Sequence, residues 1–223
     1  MDLGAPWHRR GGDARTRWAD LMTELLRLEA CSVVRQGRSA PVIRDVSLTV
    51  STGQHLLIRG SSGAGKTTLA LVIAGLLKPT RGRRIPSSAM RKHRAPIRMV
   101  FQDPFACMNP RWRVGEWLKD NHSLPASPSC AELCGQLDLD LNLLDKYPLE
   151  LSGGECQRFN LVGALLGNPL LLILDEAASM VDAKAAHAME SLVQSCRERL
   201  NMAIIAIEHN AEISEPQLSI QHG

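Results

Sequence analysis

The chain has 223 residues, 44% of them hydrophobic and 22% charged, so its composition excludes a disordered chain and suits one globular unit. Its formal net charge of +3 is too small to indicate a nucleic-acid partner. The longest apolar runs, at residues 170–174 and 203–207, are far shorter than the roughly 18 residues that cross a bilayer. The six cysteines follow no spacing typical of a metal site or a disulfide framework, which favours reduced thiols in the cytosol.

The first 24 residues differ from the rest of the chain. They contain a Gly-Gly pair, four arginines and two of the four tryptophans, but no apolar stretch like that of a signal peptide. We expect a poorly ordered or partly helical leader at residues 1–24 and a folded domain at residues 25–223. Met22 is an alternative start, because the folded pattern begins just after it.

Beyond the leader, the sequence alternates between strand and helix patterns. Short apolar or alternating runs predict strands at residues 46–50, 56–58, 98–102, 170–174 and 203–207. Helical patterns cover residues 67–77, which Pro79 and Gly82 end, and residues 183–200. Prolines interrupt the basic stretch 79–96, and short amphipathic pieces after it predict a small helical insert. The alternation predicts an α/β fold with a mostly parallel sheet.

The strongest motif lies between a predicted strand and a predicted helix. It matches the phosphate-loop pattern G-x-x-x-x-G-K-[ST] in full and reads Gly60-Ser61-Ser62-Gly63-Ala64-Gly65-Lys66-Thr67, with Thr68 next in the helix. Its glycines let backbone N–H groups turn toward phosphate oxygens, and the helix start adds partial positive charge. Lys66 then reaches the β- and γ-phosphates, and the Thr67 hydroxyl ligates Mg²⁺. The motif predicts a nucleotide-binding site.

A second motif closes the strand predicted at residues 170–174, which runs directly into Asp175 and Glu176. In a parallel sheet the carboxyl ends of the strands face the ligand crevice. Asp175 is therefore predicted to hold Mg²⁺ as the acidic partner of Thr67. Glu176, one residue further on, is predicted to act as the general base that polarises the attacking water.

A third motif precedes the acidic strand and reads Leu151-Ser152-Gly153-Gly154-Glu155-Cys156-Gln157-Arg158. It resembles the LSGGQ signature of ATP-binding cassette (ABC) ATPases, and the order of motifs along the chain is similar. Glu155 stands where the family often has Gln. The resemblance implies that Ser152, Gly153, Gly154 and Gln157 contact nucleotide at a second helix start, which is a second anion site.

The remaining motifs of the family have counterparts here. Gln102 matches the Q-loop glutamine, which touches Mg²⁺ and the attacking water in the family and relays contact with the membrane partner. Residues 179–182 read Ser-Met-Val-Asp and resemble the D-loop, with its Asp182 retained. His209 matches the switch histidine, which the resemblance places at the γ-phosphate.

The resemblance covers roughly residues 25–212 and implies a fold and an activity. The implied fold is a P-loop NTPase with a RecA-like parallel-sheet core, an N-terminal antiparallel β subdomain and an α-helical subdomain inserted at about residues 105–165. The implied activity is hydrolysis of ATP with Mg²⁺. Two cassettes, identical or paralogous, would pack head to tail with ATP between the phosphate loop of one and the signature turn of the other.

Three departures from the family pattern stand out. No aromatic residue that could stack on adenine occurs near residues 33–36, and the guanidinium plane of Arg35 could stack on the base instead. Only 14 residues follow His209, so we expect the usual C-terminal strands to be cut short or missing. The leader matches nothing in the family.

The stretch 99–111 reads Met-Val-Phe-Gln-Asp-Pro-Phe-Ala-Cys-Met-Asn-Pro-Arg and looks like the peptide/nickel import subfamily, as does Gly115-Glu116. The resemblance implies membrane permease subunits held at Gln102 and residues 105–120, and an indirect extracytoplasmic binding protein. It implies a peripheral location on the cytoplasmic face of the cell membrane. The absence of a cysteine-bearing C-terminal extension favours a nickel or metallophore type of importer over a peptide type.

Several alternatives stay open at this point. The chain is also compatible with a soluble ABC ATPase without a transport role, such as a phosphonate-lyase accessory, or with a weakly active regulatory cassette. Cys130 and Cys134 suggest a metal site, but without further ligands nearby we favour structural thiols. Trp112 and Trp117 fit either a small core in the insert or a docking face.

Overall fold

The computed structural model describes residues 23–34, 37, 40–121, 129–209 and 218–222. The predictions of a poorly ordered leader, of a start at Met22 and of adenine stacking by Arg35 lie outside these residues. Within them, no helix is both long and apolar enough to span a bilayer.

Eight strands and six α-helices make up the described part of the chain. The strands are β1 (Glu24–Val33), β2 (Ile43–Ser51), β3 (His55–Gly60), β4 (Arg81–Pro86), β5 (Ile97–Val100), β6 (Leu171–Asp175), β7 (Ala203–His209) and β8 (Leu218–His222). The helices are α1 (Lys66–Ala74), α2 (Ser88–Lys92), α3 (Val114–Asn121), α4 (Cys130–Gln136), α5 (Gly153–Leu166) and α6 (Ala183–Leu200). Short 3₁₀ turns occur at Phe105–Cys107, Leu141–Asp145 and Pro148–Glu150.

The strands form two sheets, as the predicted fold class requires. The antiparallel sheet has the order β2-β1-β4. The second sheet has the order β5-β6-β7-β3-β8, in which the first four strands are parallel and β8 is antiparallel to β3. All four parallel strands therefore end at the same edge, where ligands bind in open α/β sheets.

Two apolar cores lie on opposite faces of the parallel sheet. Side chains alternate between the faces of a strand, so Leu171 and Ile173 of β6 belong to one core and Leu172 to the other. The first core joins the sheet to α1 and the antiparallel sheet, and the second joins it to α3, α4, α5 and α6. Phe159 of α5 is fully buried in the second core, whose other buried members are aliphatic or sulfur-containing, and Trp117 packs against it. The helices of the insert thus share their core with the sheet.

Two local predictions differ from the structure. Helix α1 ends at Ala74, earlier than the predicted stop at Pro79. Gly75 adopts a left-handed conformation (φ 81°), and its N–H donates to the carbonyl oxygens of Leu71 and Val72, which ends the helix. The basic stretch 79–96 contains strand β4, which pairs with β1 although its residues are mostly polar. Beyond His209 the described residues form β8, which pairs antiparallel with β3.

Candidate nucleotide-binding site

The ends of the parallel strands bring the predicted site residues to one edge. Gly60, at the end of β3, pairs in register with His209 at the end of β7. Asp175 ends the neighbouring strand β6 and pairs with Ile207. Gln102 lies two residues beyond β5 and is exposed. The side chain of His209 lies outside the described part of the structure, so only its backbone position is established.

The phosphate loop joins β3 to α1 with a left-handed glycine. Gly65 has a φ of 93°, and a Cβ atom there would stand 2.8 Å from the carbonyl oxygen of Val42. Gly65 makes no side-chain cap, and the first turn of α1 holds no acidic residue. The N-cap residue therefore supplies no side-chain acceptor at this helix start, which suits an anion site.

Lys66 is folded back into this loop. Only 7% of its side chain is exposed. Its Nζ donates to the carbonyl oxygens of Gly60 at 2.8 Å and Ser61 at 3.1 Å. It also lies 4.0 Å from Oε1 of Glu176. The ammonium group thus sits between the loop backbone and the predicted general base, within reach of a phosphate held by the loop.

Thr67 and Asp175 are hydrogen-bonded to each other. Burial raises the pKa of Asp175, and the negative charge of Glu176 adds to that effect, whereas the Thr67 hydroxyl and Lys66 oppose it. A hydroxyl and a buried carboxylate side by side supply the hard oxygen ligands that Mg²⁺ prefers. The predicted pairing of these two residues is present in the structure.

Glu176 has an unusual backbone conformation. Its φ is 49°, a left-handed value that a non-glycine residue adopts at a cost. Its N–H donates to the carbonyl oxygen of Ile207 at 3.2 Å, which ties the turn after β6 to β7. The sharp turn keeps the carboxylate at the sheet edge, where 21% of the side chain is exposed.

The signature turn forms the start of α5. Ser152 accepts a hydrogen bond from the Glu155 N–H at 3.2 Å, and Glu155 accepts one from the Ser152 N–H at 2.8 Å, which makes a complete capping box. Cβ positions built on Gly153 and Gly154 would lie 3.8 Å and 3.6 Å from atoms of Met180. The signature turn and the D-loop segment are therefore neighbours within one chain.

One predicted contact is corrected by the structure. The resemblance implies that Gln157 touches nucleotide, but its side chain is fully buried inside the chain. Its Nε2 donates to the carbonyl oxygens of Phe101 at 3.0 Å and Ala177 at 2.9 Å. These carbonyls follow β5 and β6, so Gln157 fastens α5 to two strand ends. The sequence signal for this role was its position three residues after Gly154, on the inner face of the helix.

Asp182 also has a local partner. It is the N-cap of α6, and its Oδ1 accepts a hydrogen bond from the Ala185 N–H at 2.8 Å. That hydrogen bond lowers the pKa of Asp182. Asn160, which the sequence did not single out, is buried and donates to the carbonyl oxygen of Pro104 at 2.7 Å. It anchors α5 to the segment after Gln102.

The strand order, the phosphate loop and the acidic strand end define a P-loop nucleotide-binding protein. The sequence model of the ABC transporter family matches residues 43–179 of the chain. The chain therefore belongs to the ABC transporter family and is an ATPase cassette of that family, as predicted.

Relatives with known roles indicate which subfamily of ABC ATPases the chain resembles. The chain is 35% identical over 190 residues to the nickel import ATP-binding protein NikE of Escherichia coli K12, covering 78% of this chain and 71% of the relative. It is 31% identical over 188 residues to the oligopeptide transport ATP-binding protein OppF of Haemophilus influenzae, covering 77% and 57%. The predicted resemblance to the peptide/nickel import subfamily is confirmed, and a cassette without a transport role is not favoured.

Solved structures agree on the fold. A dimeric, post-hydrolysis structure of the ATP-binding cassette MJ0796 bound to ADP and Pi has a TM-score of 0.71 and 23% identity, covering 83% of this chain and 88% of that chain. CbiO1 of Clostridium perfringens, part of the CbiONQ transporter complex, has a TM-score of 0.66 and 25% identity, covering 86% and 80%.

Proposed function

We propose that the chain is the ATP-hydrolysing subunit of an importer whose cargo is nickel, a metal chelate or a peptide. The observation that carries the catalytic part is the grouping of Lys66, Thr67, Asp175 and Glu176 at one sheet edge. Similarity to the nickel and oligopeptide import subunits supports the class of cargo. The cassette itself supplies the energy, and the membrane subunits it serves carry the cargo.

The site residues have distinct roles in this proposal. The N–H groups of Gly60 to Thr68 and the ammonium of Lys66 bind the phosphates of ATP. Thr67, Asp175 and Gln102 would hold Mg²⁺, which neutralises phosphate charge when bound. Glu176 orients and deprotonates the attacking water, and His209 contacts the γ-phosphate. Catalysis then depends mainly on positioning and charge neutralisation.

A complete site needs a second cassette. In each cassette the start of α1 binds the phosphates of its own nucleotide. The signature turn at the start of α5 contacts, through Ser152, Gly153 and Gly154, a nucleotide bound by another copy or a paralogue. Asp182 directly follows Met180 and Val181, which lie beside that turn. The dimeric cassette among the similar structures supports this head-to-tail pairing.

The partner in the membrane would dock near Gln102. A groove of about 260 Å³ opens there between β5 and α5, and Phe101, Cys107 and Trp117 are among the residues that line it. Phe105 and Trp112, on the segment that follows Gln102, are 38% and 39% exposed. Apolar side chains left at the surface beside a groove are typical of a protein interface, so this face suits a segment of a permease subunit at the cytoplasmic side of the membrane.

The substitution Glu176→Gln tests the catalytic assignment. The variant keeps the shape of the side chain but cannot accept a proton, so we expect ATP binding to persist while turnover falls by about 10²-fold or more. The exposed Glu190→Gln variant is the matched control and should hydrolyse ATP at the normal rate. Normal turnover in Glu176→Gln would reject Glu176 as the general base.

The import role is tested separately. Co-purification of the tagged chain from membranes, followed by mass spectrometry, should recover permease subunits and a second cassette. Transport by the recovered complex in proteoliposomes is then measured with radioactive nickel, with nickel chelates and with short peptides. An active ATPase that recovers no membrane protein would contradict the import role while leaving the catalytic site intact.

A further inference from the structure

Cys130 and Cys134 are close enough to react with each other. They lie four residues apart on α4, and their Sγ atoms are 4.0 Å from one another. Cys134 is fully buried, whereas Cys130, the first residue of the helix, is partly exposed. Neither thiol contributes to the proposed nucleotide site, so the pair is not explained by ATP hydrolysis.

A metal centre does not account for this pair. Among the residues that the structure describes, no group of three or more His, Cys, Asp or Glu side chains could hold a metal ion. Two thiols without a third protein ligand are fewer than the four ligands typical of a structural zinc site. Two thiols whose Sγ atoms are 4.0 Å apart can be oxidised to a disulfide.

We propose that Cys130 and Cys134 form a redox site that a hydroperoxide closes to a disulfide. The Cys130 thiolate attacks the O–O bond and takes one oxygen to become a sulfenic acid, while the other oxygen leaves and is protonated to an alcohol or water. The Cys134 sulfur then attacks the sulfenic sulfur, the S–S bond forms, and the OH leaves with the Cys134 proton as water. Two thiols lose two electrons and two protons, and the peroxide is reduced.

The two thiols differ in the way such a reaction requires. The hydrogen bond with Cys134 lowers the pKa of Cys130 to about 7, so much of this partly exposed thiol is the nucleophilic thiolate near neutral pH. The same hydrogen bond, followed by burial, raises the pKa of Cys134 and keeps it a thiol until attack. Burial raises the pKa of the other four cysteines, Cys31, Cys107, Cys156 and Cys196.

The helix geometry makes the disulfide a reversible one. Residues four apart on a helix have Cβ atoms about 5–6 Å apart, whereas a disulfide needs about 3.5–4.5 Å. The first turn, which a capping box between Ser129 and Glu132 holds in place, must therefore distort for the S–S bond to form. Distorted disulfides are more easily reduced, which suits a bond that opens again with cellular thiols.

A single tryptic peptide reports the reaction. Cleavage after Lys119 and Lys146 gives residues 120–146, which contain Cys130 and Cys134, no other cysteine and no methionine. We expect hydrogen peroxide to remove two hydrogen atoms from this peptide in the full chain, as read by mass spectrometry after thiol blocking. Dithiothreitol should restore both. If both thiols are still fully alkylated after a tenfold excess of peroxide, the proposal is wrong.

Variants separate the two thiols. In Cys134→Ser, dimedone should trap a sulfenic acid on Cys130, whereas Cys130→Ser should leave Cys134 unoxidised. In the unmodified chain at pH 7, iodoacetamide should alkylate Cys130 roughly fivefold faster than the partly exposed Cys107, which is the matched control. Faster reaction at Cys107, or a sulfenic acid that forms there first, would overturn the assignment. The alkylation rates use the unmodified chain and do not depend on the folding of any variant.

Discussion

Two glycine-rich turns in this cassette each open a helix, yet they prepare those helix starts differently. At α1, Gly65 offers no side-chain cap and no acidic residue follows in the first turn. At α5, Ser152 and Glu155 complete a capping box, and the Glu155 carboxylate accepts hydrogen bonds from both the N–H and the hydroxyl of Ser152. The first start is open to an outside anion, whereas the second already carries an anion of its own.

The difference fits a division of labour between the two turns. A helix start with no side-chain cap and no acidic residue in its first turn, with a buried lysine beside it, can bind phosphate strongly. A helix start that is capped by its own carboxylate is stable without a ligand. The negative charge of that carboxylate, however, repels an approaching phosphate. We therefore expect α1 to dominate nucleotide affinity and α5 to contribute less, mainly once two cassettes have joined.

The largest effect should follow from removing the cation at the open start. Lys66→Ala deletes an ammonium that is only 7% exposed and faces the loop, so ATP affinity should fall by about 10²-fold, or roughly 2.7 kcal/mol. Equilibrium binding of a fluorescent ATP analogue measures the change. Lys78→Ala, an exposed lysine beyond the same helix, is the control and should bind normally. An unchanged ATP affinity in Lys66→Ala would show that the start of α1 does not dominate nucleotide binding.

The second-largest effect should follow from removing the buried hydrogen bonds that Gln157 donates from α5 to the ends of β5 and β6. Gln157→Met keeps the length of the side chain but leaves the carbonyl oxygens of Phe101 and Ala177 without their donor. Leaving buried acceptors unpaired should lower the free energy of unfolding by about 2–3 kcal/mol. Urea denaturation measures it, with the exposed Gln136→Met as control. A loss below about 0.5 kcal/mol, less than a typical hydrogen bond contributes, would show that this link is dispensable.

The phosphate loop and the acidic strand end were predictable because phosphate binding and Mg²⁺ ligation require particular residue types at a fixed spacing. The pairing of Thr67 with Asp175 follows once the loop after β3 and the end of β6 lie at the same edge of one parallel sheet. The inward side chain of Gln157 was not foreseen, since a motif match names residues without saying which face of the helix they occupy. Strand β4 was missed because its polar residues pair at the edge of a sheet, where propensity is weak.

The cap of α5 gives a smaller effect. Ser152→Ala removes the oxygen that accepts the Glu155 N–H, and such a change typically costs about 1 kcal/mol of stability. Thermal unfolding without nucleotide measures it. Ser62→Ala, an exposed serine in the phosphate loop that caps no helix, should have little effect on unfolding. Equal losses in the two variants would mean that the capping box does not distinguish the two turns.

The smallest effect comes from the charge of Glu155. The hydrogen bonds from the Ser152 N–H and hydroxyl lower the pKa of Glu155, so its ionised form stabilises the folded chain. This contribution is present above the ordinary glutamate pKa of about 4.3 and is lost as the pH falls through the lowered folded value. Glu155→Gln should therefore be less stable by roughly a few tenths of a kcal/mol at pH 7, and the difference should disappear once the pH is below the lowered folded pKa of Glu155.

The same variant sharpens the contrast between the two helix starts. Removing the negative charge from the α5 start should strengthen ATP-dependent dimerisation by roughly two- to fivefold, because a phosphate no longer meets a carboxylate there. Light scattering of the Glu176→Gln background, which holds ATP, measures dimer formation with and without Glu155→Gln. Adding Ser152→Ala completes a double-mutant cycle that separates capping from charge. Weaker dimerisation in Glu155→Gln would mean that the carboxylate helps to bind the partner cassette, and the two turns would then act alike.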